Sequence, residues 1–190
     1  MKKLLLAATL ALGASVSVQA ADAPFKFLVG FGLTGGGDTL ATVPYTDGTS
    51  DNIKAGGLFH FYGGAEYRVL DSLALQGTFG YHSNRSNASN GSLRFDRLPI
   101  DALAMYSLTP GWRIGGGAEF VLSPQLKGTG VASDINVKFK NTVGAVVEGE
   151  YVFQQSLGVK LRYVAEKYKP KNGGESASGN HVSVMMSYYF

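Results

Sequence analysis

Apolar residues recur at every second position through most of this chain, with polar or charged residues between them. A period of two belongs to a β-strand with one face apolar and one polar. In the first such segment Phe25, Phe27, Val29, Phe31 and Leu33 share a face, opposite Lys26, Gly30, Gly32 and Thr34. The second sets Ile53, Ala55, Phe59, Phe61, Ala65, Tyr67 and Val69 against Lys54, His60, Tyr62, Glu66 and Arg68. Six more follow: Leu73–Tyr81, Leu98–Tyr106, Trp112–Leu122, Val137–Tyr151, Leu157–Ala165 and Val182–Phe190. In the fourth, the pattern stumbles at Arg97 and Pro99, where a bulge is expected because proline cannot donate to the ladder. Eight strands is an even number, and 190 residues suit one domain.

Composition narrows the medium. Only 16% of residues are charged against 45% hydrophobic, with 26 Gly, 10 Tyr and 11 Phe, which excludes a disordered chain. With no cysteine there is no disulfide framework and no thiolate metal site. Met1-Lys2-Lys3 followed by the apolar run Leu4 to Ala14, with Val18-Gln19-Ala20 at the cut, reads as a secretory signal peptide over residues 1–20. Residues 21–190 form the expected barrel domain. Without Lys2 and Lys3 the 17 basic residues become 15 against 14 acidic, too balanced for a nucleic-acid partner. The mature part has no run of 18 apolar residues, which excludes a transmembrane helix.

The connections alternate. Leu70-Asp71, Leu108 to Gly111 and Phe153 to Ser156 are tight, whereas 35–52, 83–92, 123–136 and 169–180 are long and polar. That is the pattern of an all-β, eight-stranded antiparallel up-and-down barrel with both termini at one end. A soluble barrel puts its apolar face inside, and a membrane barrel puts it outside. Here the apolar faces carry aromatics toward the strand ends, where ring side chains favour the lipid–water boundary. The charges of the polar face mix signs within single strands, which suits a self-neutralising dry interior and equally a solvated outer face. The export signal, the even strand count and the C-terminal strand decide the expected orientation, lipid outside and charge inside.

The last ten residues, His181-Val182-Ser183-Val184-Met185-Met186-Ser187-Tyr188-Tyr189-Phe190, end on phenylalanine with Met186 and Tyr188 on the same face. This resembles the C-terminal strand by which the barrel-assembly machinery recognises Gram-negative outer-membrane proteins. The whole mature chain resembles the small barrels of the OmpA/OmpX and opacity-protein type. The resemblance implies a monomer in the outer membrane, with lipid, lipopolysaccharide, the assembly machinery and an extracellular ligand of unknown identity as partners. The function it implies is non-enzymatic: envelope-structural, or surface binding by the four loops.

Two further expectations concern sites. Glu66, Asp101, Arg113, Glu119, Glu148, Lys160 and Arg162 sit mid-strand on the polar parity and are expected to form a charge network that plugs the lumen. His82-Ser83 and His181-x-Ser183 lie at the long-loop end. His82-Ser83-Asn84 resembles the His-x-Ser-Asn stretch of outer-membrane lipid A deacylases. That makes a hydrolase the alternative and a narrow channel the third reading. The match departs in spacing: His82 and Ser83 are adjacent, so on a strand they point to opposite faces. No cofactor is expected, and three dispersed histidines suggest no metal cluster.

Overall fold

The computed structural model describes residues 24–45 and 47–190; the expected signal peptide lies outside the described residues. Thirteen strands follow in chain order. They are β1 (Phe25–Gly36), β2 (Thr39–Pro44), β3 (Ser50–Lys54), β4 (Leu58–Leu70), β5 (Leu73–Ala88), β6 (Gly91–Thr109) and β7 (Trp112–Gly130). Then come β8 (Asn136–Lys138), β9 (Thr142–Phe153), β10 (Leu157–Ala165), β11 (Lys167–Tyr168), β12 (Ala177–Ser178) and β13 (His181–Tyr189). Eight of them close into an antiparallel barrel in the order β6-β5-β4-β1-β13-β10-β9-β7, with β6 pairing β7 to complete the ring. The first and last strands seal along nine residue pairs, from Leu28 opposite Tyr189 to Gly36 opposite His181. Closure leaves the barrel no free edge.

The faces sort as the alternation predicts. Leu161 is 60% exposed and Arg162, its neighbour in the chain, 1%. Phe27, Phe31, Phe61, Phe79, Trp112, Val147, Val184 and Tyr188 all point outward, and so do Met186 and Phe190 of the terminal segment. Glycines let lumen-filling groups close in. A Cβ at Gly30 would lie 2.3 Å from the Tyr62 ring, and one at Gly64 only 2.0 Å from the Gly77 carbonyl oxygen.

Above the lipid-facing band the arrangement inverts. Ile53, Ala55, Leu93, Phe95, Val121, Leu126, Phe139 and Tyr168 form one buried apolar cluster, and the β2–β3 hairpin packs onto it through Leu40, Ala41 and Val43. The reason is the medium. Where the wall meets hydrocarbon the apolar face must be outside, and where it meets water the apolar face must be inside.

This inversion corrects several sequence expectations. Ile53, Ala55 and Phe139 are buried in the cap rather than lipid-facing, and Lys54, Lys138 and Lys140 are exposed outside rather than lining the lumen. The strand is interrupted at 139–141, between β8 and β9, which divides the expected Val137–Tyr151 strand. The stretch 83–92 is not a loop: β5 and β6 stay paired to Ala88 opposite Gly91. Likewise β7 runs on to Gly130. Polar residues there continue the ladder because Asn84 and Ser86 turn inward while Arg85 and Asn87 meet water. The bulge expected near Arg97 and Pro99 falls between Asp96 and Leu98, opposite Ser123, whose φ of 50° marks the extra residue on β7.

Candidate functional site

The seven residues of the expected network all lie in the lumen, and alternation is the reason: each occupies an inward position of its strand. Their contacts form a column. Near the periplasmic mouth, Arg113 of β7 reaches Glu66 of β4 at 2.8 Å and Glu150 of β9 at 2.6 Å. It also donates to the Tyr189 hydroxyl, which in turn donates to Glu150 at 2.8 Å. One storey up, Lys160 donates to Glu148 and to Gln76, each at 3.0 Å. Gln76 Nε2 donates to Glu66 at 2.9 Å, tying the storeys together.

Arg162 forms the third storey. Its Nε meets Glu148 and its Nη1 meets Asp101, both at 2.8 Å, and Glu119 stands 3.7 Å away. Thr78 donates to the same Asp101 oxygen at 2.7 Å. The planar guanidinium thus spans three strands and serves two carboxylates directly.

Above lies a chamber that sequence reasoning did not assemble. The three histidines expected to be dispersed are brought together: His60 stacks on His82 with centroids 4.8 Å apart, and His181 meets His82 edge-on at 5.3 Å. The available signal was pairing, since His60 lies directly opposite His82 across β4 and β5. Arg97, also missed, donates to His82 Nε2 at 3.0 Å and lies over the Phe95 and Tyr168 rings. Arginine has no acceptor, so His82 Nε2 must accept and its proton sits on Nδ1. Tyr168 donates to Glu166 at 2.5 Å. Burial pushes the Tyr168 phenol well above its usual range, so it remains a neutral donor.

The histidine–serine pairs are not brought together. Ser83 points outward and donates to Asp96 at 2.8 Å, while His82 is fully buried in the lumen. Ser183 faces the lumen beside His181 in sequence, but its hydroxyl has no hydrogen-bond partner among the described residues. The proposed pairs need histidine within hydrogen-bond reach of serine, and neither Ser83 nor Ser183 has one there.

A second concentration of charge lies outside the wall. Lys140 N–H donates to Lys169 O at 2.9 Å and Lys171 N–H to Lys138 O at 2.8 Å, around a bridge between Phe139 and Pro170. Lys138 therefore stands opposite Lys171, and Lys140 opposite Lys169, all four side chains exposed. Across the barrel Arg85 is paired in register with Arg94, above a groove lined by Phe59, Phe61 and Tyr81.

A closed eight-stranded barrel with an apolar outer wall and a charged interior defines an integral membrane protein of the outer-membrane type. Residues 6–190 match the family described as outer membrane protein beta-barrel domain, and the chain belongs to that family. Its place is the outer membrane of a Gram-negative cell. No curated protein matches the chain. Among solved structures it is similar to Ail, the attachment invasion locus protein of Yersinia pestis, at 12% identity and a TM-score of 0.54, over 87% of this chain and 97% of that one. Ail in complex with the heparin analogue sucrose octasulfate superposes with a TM-score of 0.53, at 10% identity over the same shares. Neisserial surface protein A is similar at 13% identity and a TM-score of 0.52, over 88% of this chain and 98% of that one. At these identities the likeness is one of fold.

Proposed function

We propose that this protein is a non-enzymatic, closed outer-membrane barrel that holds the anionic headgroups of lipopolysaccharide around its outer wall. The observation that carries the reading is the block of directly opposed like charges, Lys138/Lys171 and Lys140/Lys169. Like charges placed opposite each other destabilise a sheet, so a wall that keeps two such pairs together is suited to an anion between them.

Position selects the anion. Lys140 lies three residues beyond the lipid-facing Val143, at most about 10 Å of chain, which is the depth of headgroups rather than loop tips. The lysines project sideways from the wall, toward neighbouring lipids. A structural role is supported by the lumen, where ion pairs and the apolar clusters around Leu103 and Met185 face inward in an eight-stranded barrel, an interior just wide enough for side chains. The absence of a Ser–His hydrogen bond among the described residues argues against a hydrolase.

The test is the variant Lys138→Gln/Lys171→Gln, purified in detergent and titrated with phosphorylated and dephosphorylated lipid A. A lysine near an anionic surface contributes about 1 kcal/mol, so losing two should weaken binding of the phosphorylated form about 30-fold. The wild-type affinity should also fall steeply with salt. Unchanged lipid A binding overturns the reading. Ail was crystallised with a heparin analogue. If the variant loses heparin binding while keeping lipid A, the block serves a soluble polyanion instead.

A further inference from the structure

The closed lumen holds more negative charge than positive. Its buried carboxylates are Glu66, Asp101, Glu119, Glu148, Glu150 and Glu166, six in all among the described residues. The cations facing them are Arg97, Arg113, Lys160 and Arg162, four in all, which leaves a net of −2 with the histidines neutral. The other two basic residues of the polar parity in this part, Lys26 and Arg68, line the pockets at the periplasmic mouth.

Half of the deficit falls among Glu66, Asp101, Glu148 and Glu150, which share Arg113, Lys160 and Arg162, and half at Glu119 and Glu166, which with Arg97 sum to −1. Glu66, Asp101, Glu148 and Glu150 each have a charged partner at 2.6–3.0 Å. Glu119 and Glu166 do not. Both oxygens of Glu119, which is fully buried, lack a hydrogen-bond partner, and so does Oε2 of Glu166. An unpaired buried carboxylate is among the most expensive groups a fold can hold. Glu119 on β7, Glu166 after β10 and His181 at the start of β13 each bring one ligand atom to within 4.8 Å of the other two.

We propose that Glu119, Glu166 and His181 bind a divalent transition-metal ion, best represented by Zn2+, inside the upper lumen. Its two charges would cancel the deficit. One imidazole and two carboxylates suit zinc, whereas calcium and magnesium prefer all-oxygen shells. Ligand atoms around zinc stand about 3.4 Å apart, so the side chains draw in by roughly an ångström on loading. Outer contacts are already set. Tyr168 donates to Glu166 Oε1 at 2.5 Å, and His181 Nδ1 lies 2.8 Å from the Gly179 carbonyl oxygen. Such contacts orient ligands in metal sites generally, which makes Tyr168 a positioning residue. The apolar cap seals the site from above, and Arg162 bounds it from below. Such a metal would tie β7 to the segment after β10 and to the start of β13.

All three histidines of the chain lie in the lumen, so a tag-free protein has no histidine site at its surface to confuse the measurement. The protein is refolded in detergent with either EDTA or Zn2+, passed through a chelating column, and its metal content and melting temperature are measured. One zinc per chain is expected, with a higher melting temperature than the EDTA-treated protein. Glu119→Gln/His181→Ala should hold none while still migrating as a folded barrel on unheated gels. Tyr168→Phe should weaken zinc at least about 10-fold. His60→Phe, which keeps the ring stack, should retain it. If the wild type holds no more zinc than Glu119→Gln/His181→Ala, the two charges are neutralised by protons and the proposal fails. Loss of zinc in His60→Phe would overturn the assignment of ligands.

Discussion

Replacing Arg162 with alanine should destabilise the barrel by about 3–5 kcal/mol. The side chain is 1% exposed and holds Glu148 and Asp101 at 2.8 Å each, with Glu119 at 3.7 Å. Its loss strands Asp101, leaves Glu148 with Lys160 alone and removes the cation beside Glu119, and an unpaired buried charge is worse than no charge at all. The comparison that isolates this cause is Arg162→Met combined with Asp101→Leu, which leaves Glu148 its pair with Lys160. With Asp101 gone as well, the double variant should lose less stability than Arg162→Ala, although it changes more atoms. Urea unfolding in micelles, followed by the shift between folded and unfolded mobility on gels, measures both. Equal stability of wild type and Arg162→Ala would mean that the ion pairs do not hold the lumen.

The residue before it tests the other face. Leu161 is 60% exposed near the middle of β10, where the wall meets hydrocarbon. Leu161→Arg should cost about 2–4 kcal/mol in a bilayer, the penalty of a charged side chain near the membrane midplane. Leu157→Arg at the periplasmic end of the same strand should cost about 0–1 kcal/mol because its head reaches water. A soluble barrel gives no such gradient. If both substitutions are equally harmless in lipid, the outward face is not the membrane face.

Much of this was legible because alternation responds to which medium lies on each side of the wall. Within the bilayer the charged residues obey that rule, although apolar Leu103, Met105, Val146, Val164 and Met185 also face the lumen. Glu66, Asp101 and Arg162 are inside, and Phe31, Phe61 and Tyr188 outside, as their parity requires. It fails at Ile53 and Phe139, where the outer medium changes from lipid to water and the same parity needs the opposite chemistry. Composition alone does not mark the height at which that change occurs. The stretch 83–92 departs from the loop expectation for a related reason. Its Ser, Asn and Arg residues are poor strand formers in isolation, yet they pair in register as an extension of two long barrel strands. The histidine chamber and the opposed lysines depend on contacts between distant strands, such as Glu119 with Arg162 and Lys138 with Lys171. Register across the barrel decides those, and period-two patterning within one strand carries no information about it.

The central claim is that ion-paired side chains close the lumen, and electrical recording in planar bilayers addresses it most directly. Purified wild-type protein, inserted at known density, should give no steady unitary conductance. Arg113→Ala, which removes the residue linking Glu66 and Glu150 at the periplasmic mouth, should add leak events to that silent background. A wild-type barrel that conducts ohmically like an open porin contradicts the account outright.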